Sequence, residues 1–277
     1  TKTVEPRGDE KELAEITDLI GSYTTNFASS SAGRAKNVIT GVSKVDGTIL
    51  YPGEEFDLAK TVSPFTQENG YELAGAYQNG TVVESFGGGI CQVATTLYNA
   101  VIRAELEITM RFNHSMLVHY VEPSMDAAIA GNYKDLKFKN NLDAPVYIEG
   151  YCSGGIIYFN VYGKETRPSN REISFESETV SKTDPKVQFT MDASLTAGSV
   201  SVTQSGQSGC IAQLWKIVKV DGKQQSRDLF NKSNYQATPK LITIGTKDAT
   251  SETLSALKAA ITIGDEAKVR SAADSLK

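Results

Sequence analysis

The stretch Gly87-Gly88-Gly89-Ile90-Cys91-Gln92-Val93-Ala94-Thr95-Thr96-Leu97-Tyr98-Asn99 decides how the chain is read. Three glycines run into a segment with helical periodicity. Val93, Leu97, Val101 and Ala104 keep to one face, with Ala100 beside them. Glycine lets the backbone turn tightly or approach another group closely. Cys91 then falls in the first helical turn, where unpaired N–H groups and a partial positive charge favour a thiolate over a thiol. Two readings follow. Cys91 is a nucleophile, or the turn binds an anion; alternatively the glycines only shape a turn and Cys91 is a small core residue.

Outward from this stretch, the whole chain sets bounds. Its 277 residues suffice for one large domain or two ordinary ones. With 40% hydrophobic and 22% charged residues it is globular rather than disordered. A net charge of -5 and the lack of a basic run argue against nucleic-acid binding. No apolar run reaches the roughly 18 residues of a membrane span, and no signal peptide is visible. The chain opens on Thr1 rather than Met, so a processed or cut form is expected and missing targeting signals carry no weight. Cys91, Cys152 and Cys210 are too far apart for a disulfide framework or a zinc knuckle. With only His114 and His119 as histidines, no metal site and no cofactor is expected.

Taken in order, Thr1 to Asp9 reads as a linker and Glu10 to Gly21 as a short amphipathic helix, with Leu13, Ile16, Leu19 and Ile20 at helical spacing and Gly21 as its stop. Ser22 to Arg34 reads as a loop and Ala35 to Val45 as a helix. A turn at Asp46-Gly47 leads to a strand at Thr48 to Leu50. Further turns fall at Pro52-Gly53, Asn69-Gly70 and Asn79-Gly80, the last ahead of Thr81-Val82-Val83. Beyond the glycine-led helix, Ile108 to Phe112 and Met116 to Val121 read as strands around Asn113-His114-Ser115. Asp135 to Phe138, Val146 to Ile148 and Ile156 to Tyr162 are further strands. A few helices among many short strands, without regular alternation, indicate an α+β fold. After a polar linker at Gly163 to Asn170, residues 171–246 are almost all strand patterns. Trp215 lies in one of them, and Asp221-Gly222 is a hairpin turn. This second module has little length for a core and is expected as an elongated all-β ribbon. Thr250 to Lys277 returns to helix as a short tail, with Ser251 at the start of its first helix and Gly264-Asp265 interrupting it.

Residues 22–163 resemble the VanW family of bacterial envelope proteins. The matching text includes Arg34 and Asn37, Pro52-Gly53-Glu54 with Phe56, Gly70-Tyr71, Gly87 to Gln92 and Thr95 to Asn99. It continues through Arg111, His114-Ser115, Tyr120-Val121, Asp126-Ala127 and Asp135 to Asn140. Asp57 and Ala94 depart from the family pattern, which has serine at both places. Residues 171–248 resemble the five-glycine (G5) domain through Gly198, Gly206, Gly209, Gly222 and Gly245, with Pro239 and the closing Ile244-Gly245-Thr246. The resemblance implies an extracellular, cell-envelope protein of Gram-positive type whose partner is peptidoglycan or an N-acetylglucosamine-containing polymer. Membrane association would come only through an N-terminal anchor outside this chain. Residues 1–21 would be the end of an upstream peptidoglycan-binding module, and residues 249–277 a helical tail. The family name comes from a vancomycin-resistance gene cluster, which is a genetic context and not a reaction.

Two functions suit these residues. In the first, the protein is a cysteine-dependent hydrolase or acyl transferase on wall peptides. Cys91 attacks a carbonyl, His114 is its base, and Asp126 or else Asn113 holds the imidazole. Backbone N–H groups at 91 and 92, or the Gln92 amide, stabilise the oxyanion. A glycine-flanked cysteine opening a helix, with histidine downstream, is the order papain-like folds use. In the second, the protein is a non-catalytic wall-binding protein. Gly88, Gly89, Gln92, Tyr98, Arg111 and Asn113 then form a groove for glycan or peptide, and the β module adds a second contact. His119, in an apolar strand pattern, is expected to be structural. The two functions separate on one feature: catalysis needs a partly exposed Cys91 of depressed pKa beside His114.

Overall fold

A computed structural model describes residues 8–78, 81–131 and 133–277. Most of the expected N-terminal linker and the Asn79-Gly80 turn lie outside the described residues. The elements, in chain order, begin with α1 (Glu10–Leu13), β1 (Asp18–Asn26), α2 (Ala32–Val45), β2 (Thr48–Leu50), β3 (Glu55–Asp57) and α3 (Leu58–Val62). Then come β4 (Leu73–Gln78), β5 (Thr81–Phe86), α4 (Ile90–Arg103), β6 (Glu107–Met110), β7 (Lys137–Lys139), β8 (Val146–Ser153) and β9 (Ile156–Gly163). The C-terminal part holds β10 (Arg171–Thr183), β11 (Val187–Thr196), β12 (Val200–Gln204), β13 (Gly209–Val220), β14 (Lys223–Tyr235) and β15 (Lys240–Lys247). It ends with α5 (Ser251–Ile263) and α6 (Glu266–Asp274). Two compact units result: residues up to Thr179 with Ala212–Ser233, and Val180–Ile211 with Asn234–Lys277.

In the first unit, an antiparallel sheet of order β1-β9-β8-β2 carries α2 and α4 on its buried face. Burial along β9 alternates strictly, so Ile157, Phe159 and Val161 point into the core while their neighbours do not. Each such side chain contributes roughly 1.5–3 kcal/mol by leaving water. Helix α4 is the centre of this core, with nearly every residue from Ile90 to Ile102 buried. A second small sheet, β3-β7-β6, brings Phe56 against Phe138 with ring centroids 5.0 Å apart.

The segment expected as a helix over Glu10 to Gly21 divides instead. Asp9 and Glu12 form a capping box, but only the single turn of α1 follows. From Asp18 the chain is the edge strand β1, paired with β9 from Asp18↔Gly163 to Asn26↔Ile156. Ile20 and Gly21 are buried and Leu19 exposed, with the register against β9 shifting between Leu19 and Gly21. Gly21 does not stop a helix. It lets β1 lie directly on α4, because a Cβ at Gly21 would meet Ala100 O and Ala104 N at 2.5 Å. Ser22 to Arg34, expected as a loop, finishes β1 and starts α2, which Ser31 caps. The strand expected over Met116 to Val121 does not form; residues 111–129 instead run irregularly along α4. Its backbone is held by side chains: Thr95 Oγ1 donates to Ala127 O (3.1 Å) and accepts from Ala127 N (3.0 Å), and Asn99 Nδ2 donates to Met125 O (2.7 Å). Further along, Glu105 binds Arg171 and Lys216, the Arg171 pair at 2.6 Å, and these contacts tie the end of α4 to β10 and β13.

Strands β10, β13 and β14 form one three-stranded sheet and β11, β15 and β12 another. Asp221 (φ 51°) and Gly222 (φ 71°) both take the left-handed conformation a two-residue hairpin requires. In the second unit, β15 pairs with β11 in parallel and with β12 antiparallel. This unit has a core of its own, in which Ile244 packs with Leu257 of α5 and Val269 and Ala273 of α6. The fold is thus α+β with a β-rich second part and a short helical tail, as expected. The cap of α5 is Thr250 rather than Ser251.

Candidate active site

Gly89 caps α4 at φ +113°, a conformation L side chains rarely adopt, and so aims the first helical turn. The turn is braced from α2. Buried Asn37 donates to Gly88 O (3.1 Å) and Glu72 O (2.9 Å) and accepts from Glu72 N (2.7 Å). Cys91 follows, half-buried, with its sulfur beside Ile129 N (3.5 Å) and Ile129 O (3.4 Å) and near enough to His114 for each to shift the other's ionisation.

His114 lies in the irregular segment after β6, with its side chain 14% exposed. Its Nδ1 is 2.6 Å from Asp126 Oδ2, and its backbone N–H donates to the same oxygen at 2.7 Å. That leaves the other ring nitrogen for Cys91. Asp126 is 1% exposed and also accepts from Arg111 Nη2 (3.0 Å). In the row Cys91–His114–Asp126, the histidine therefore stands between the other two, hydrogen-bonded to Asp126 and coupled to Cys91 by charge. Of the two residues expected to hold the imidazole, Asp126 is the one on the ring. Asn113 instead donates its side-chain amide to His114 O at 2.6 Å.

The electrostatics follow from these contacts. Burial pushes the Cys91 thiol up, but the hydrogen bond and charge of His114 pull it below its ordinary value. Burial likewise opposes a charged His114, yet Asp126 and Cys91 raise it to about 9. Asp126 is pushed up by burial and brought below the usual carboxylate range by His114 and Arg111. Each group thus favours the charged form of the other: His114 leans toward the imidazolium and Cys91 toward the thiolate.

The row opens on a cavity of about 910 Å³. Gly88, Gly89, Cys91, Gln92 and His114 line it, whereas Tyr98, Arg111 and Asn113 do not. The expectation that Tyr98 and Arg111 touch a ligand is corrected by their burial. Tyr98 is a core residue whose phenol accepts from Asn231 Nδ2 at 2.7 Å. Arg111 is 8% exposed, with its guanidinium spent on Asp126, Ser124 O and Ser233 Oγ and lying 5.5 Å from the Tyr98 ring. Gln92 reaches the cavity, but its amide is not free for an oxyanion. It donates to Thr25 Oγ1 (3.0 Å) and Asn26 O (2.9 Å) and accepts from Arg34 (2.8 Å). Gln92 N–H is also taken, by Gly89 O at 2.9 Å. Cys91 N–H makes no backbone hydrogen bond among the described residues, so it is the oxyanion donor that remains.

Arg34, His119 and Tyr120 line the cavity too and were not expected there. His119 is exposed, because the strand that would have buried it is absent. Tyr120 is raised well above its usual value by burial and by the Cys91 charge, so it stays a neutral phenol. Among the described residues no cluster of three or more His, Cys, Asp or Glu could hold a metal ion, and no helix is long and apolar enough to cross a membrane.

A family model for VanW-like proteins matches residues 33–162, and one for the G5 domain matches 175–247. The chain thus joins a VanW-like domain to a G5 domain, a combination that points to a cell-wall-associated protein. Residues 33–162 belong to the VanW family and residues 175–247 to the G5 family. Among its relatives, the uncharacterized protein YoaR of Bacillus subtilis is 35% identical over 161 residues, 58% of this chain and 53% of that protein. The vancomycin B-type resistance protein VanW of Enterococcus faecalis is 26% identical over 118 residues, 40% of this chain and 42% of that protein. The chain therefore spans about half the length, or less, of these two relatives. Among solved structures, the G5 domain of an IgA1 protease matches 28% of this chain and 94% of its own, at 26% identity and a TM-score of 0.20.

Proposed function

We propose that this is an extracellular cell-envelope protein that associates with peptidoglycan and uses Cys91 to hydrolyse or transfer an acyl group of wall peptides. The observation that carries the reading is that Cys91 and His114 line one cavity, with Asp126 hydrogen-bonded to the imidazole and His114 drawing the thiol down. Cys91 thiolate attacks an amide carbonyl and forms the C–S bond, while Cys91 N–H stabilises the oxyanion. The imidazolium of His114 gives its proton to the departing amine as the C–N bond breaks. Water, or a second amine, then attacks the thioester with His114 as base, and the thiolate returns. Asp126 keeps the ring oriented and stabilises its charged form. The G5 domain supplies the wall contact, for an N-acetylglucosamine-containing polymer, and two weak sites on one chain gain by avidity.

The test is the pH dependence of Cys91 alkylation by iodoacetamide in a Cys152→Ser/Cys210→Ser background, paired with turnover of wall peptides. Labelling below pH 7 that shifts to higher pH in His114→Ala is expected. Cys91→Ala is expected to lose turnover and keep wall binding. Labelling only after unfolding, or turnover retained in Cys91→Ala, refutes the enzymatic role. The chain would then be a wall-binding protein alone.

A further inference from the structure

The charge of the cavity wall says more about the substrate. The protein carries a net charge of -5, yet no Asp or Glu is among the described residues lining this cavity. Arg34, His114 and His119 are. His114 is committed to Asp126 and Cys91, so its charge is balanced within the row. Arg34 is different, for it has no carboxylate partner among the described residues.

Arg34 is also held in place. Its Nη1 donates to Ser30 Oγ at 2.6 Å and its Nη2 to Gln92 Oε1 at 2.8 Å. Gln92 is itself 1% exposed and fixed by Thr25 and Asn26. Among the described residues only two guanidinium N–H groups are engaged in this way. The bracing lowers the side-chain entropy lost on binding, a cost that limits flexible surface arginines. Arg34 stands at the same helix end as the nucleophile, since its Cγ is 3.1 Å from where a Cβ on Gly89 would lie. A guanidinium fork fixed in a cavity without acids is suited to a planar carboxylate.

We infer that Arg34 is a specificity residue that binds a free carboxylate of the peptide, close to the bond on which Cys91 acts. The inference rests on the acyl-transfer reading above. It narrows that reading to peptides bearing a carboxylate near the scissile amide, and it excludes neutral, capped ones. Phosphate presents similar oxygens, so the experiment separates the two.

The test uses the full chain in the Cys152→Ser/Cys210→Ser background. Iodoacetate and iodoacetamide both place the Cys91 sulfur on carbon with loss of iodide, and they differ in carrying or lacking a carboxylate. The ratio of their rates is measured with Arg34 intact, in Arg34→Gln and in Arg34→Lys. The iodoacetate preference is expected to fall roughly tenfold in Arg34→Gln, the loss of one charge-assisted contact, and to be kept only in part in Arg34→Lys, which retains the charge without the fork. The protein with Arg34 intact supplies a second reading that does not depend on the variants folding. Acetyl-alanyl-alanine is expected to slow iodoacetamide labelling, whereas its C-terminal amide and inorganic phosphate do not. A rate ratio indifferent to Arg34, or equal protection by acid and amide, overturns the carboxylate site while labelled Cys91 leaves the acyl-transfer reading standing. Protection by phosphate alone overturns the carboxylate assignment. A native Cys91 that reacts with neither reagent overturns both readings together.

Discussion

Replacing Asp126 with asparagine isolates what holds His114 charged. His114 is raised from 6.5 to about 9, which at about 1.4 kcal/mol per pH unit is a preference of roughly 3 kcal/mol for the imidazolium. Burial works against this, so the favourable contacts together exceed that figure. Asp126 supplies the first of them, the 2.6 Å bond to Nδ1. Asparagine keeps the shape and an acceptor for His114 N–H but removes the charge. Burial then opposes a ring supported by Cys91 alone, and the midpoint is expected to fall by at least about one pH unit. Cys91 is expected to need higher pH for alkylation, because the imidazolium that stabilises its thiolate is scarcer at neutrality. The assay is an NMR titration of the imidazoles, simple in a chain with 2 histidines, run beside the rate of iodoacetamide labelling against pH. A His114 midpoint unchanged in Asp126→Asn, or one at 6.5 or below in the unsubstituted protein, would refute the reasoning.

Three further outcomes follow from the same contacts. Alone, His114 contributes stability that is full below its unfolded value of 6.5 and lost as pH rises through about 9; Cys91, lowered from 9.0, contributes stability present above that value and lost as pH falls through its native pKa. Above that native pKa the two slopes cancel between 6.5 and 9, so Cys91→Ser should expose the His114 slope; urea midpoints that do not fall from pH 6.5 upward in this variant contradict the ion pair. Glu105 is pushed up by burial but brought from 4.5 to about 2 by Arg171 and Lys216, so its stabilisation is present above pH 4.5 and lost as pH falls through about 2. Glu105→Gln should cost about 1–2 kcal/mol at pH 7, less than the full shift implies because solvent screens this half-buried group, and flatten acid unfolding over that window, as followed by circular dichroism. Gly21→Ala puts a methyl 2.5 Å from the α4 backbone and should destabilise the first unit by more than about 2 kcal/mol; an unshifted melting temperature would mean that β1 does not lie on α4.

The glycine-led helix, the α+β class and the β ribbon were legible in the sequence because each depends on local pattern. Val93, Leu97 and Val101 recur at helical spacing, β8 and β9 alternate, and Asp221-Gly222 permits one kind of turn. The placement of Cys91 in a first helical turn was legible for the same reason. Misreadings fell where a tertiary partner overrode local pattern. Leu19 and Ile20 fit a helix until β9 offered Asp18–Asn26 a ladder of hydrogen bonds. Met116 to Val121 fit a strand, but the polar side chains of α4 took the backbone of the neighbouring segment and left His119 on the cavity.

The site divides in the same way. Cys91, His114 and Asp126 could be named from residue type and resemblance, but not their mutual placement, since 23 positions separate Cys91 from His114 and 12 more separate His114 from Asp126. Tyr98 and Arg111 looked like ligand-binding residues by type. Only packing decided that one is core and the other supports Asp126 from behind. Arg34 became visible as a cavity cation only when α2 was set against the start of α4. The sequence by itself determined which segments form helices and strands and which chemical groups are available, because propensity and periodicity act over a few residues. The tertiary structure alone decided which groups meet, which are buried and which are charged, because hydrogen bonding and desolvation depend on neighbours distant along the chain.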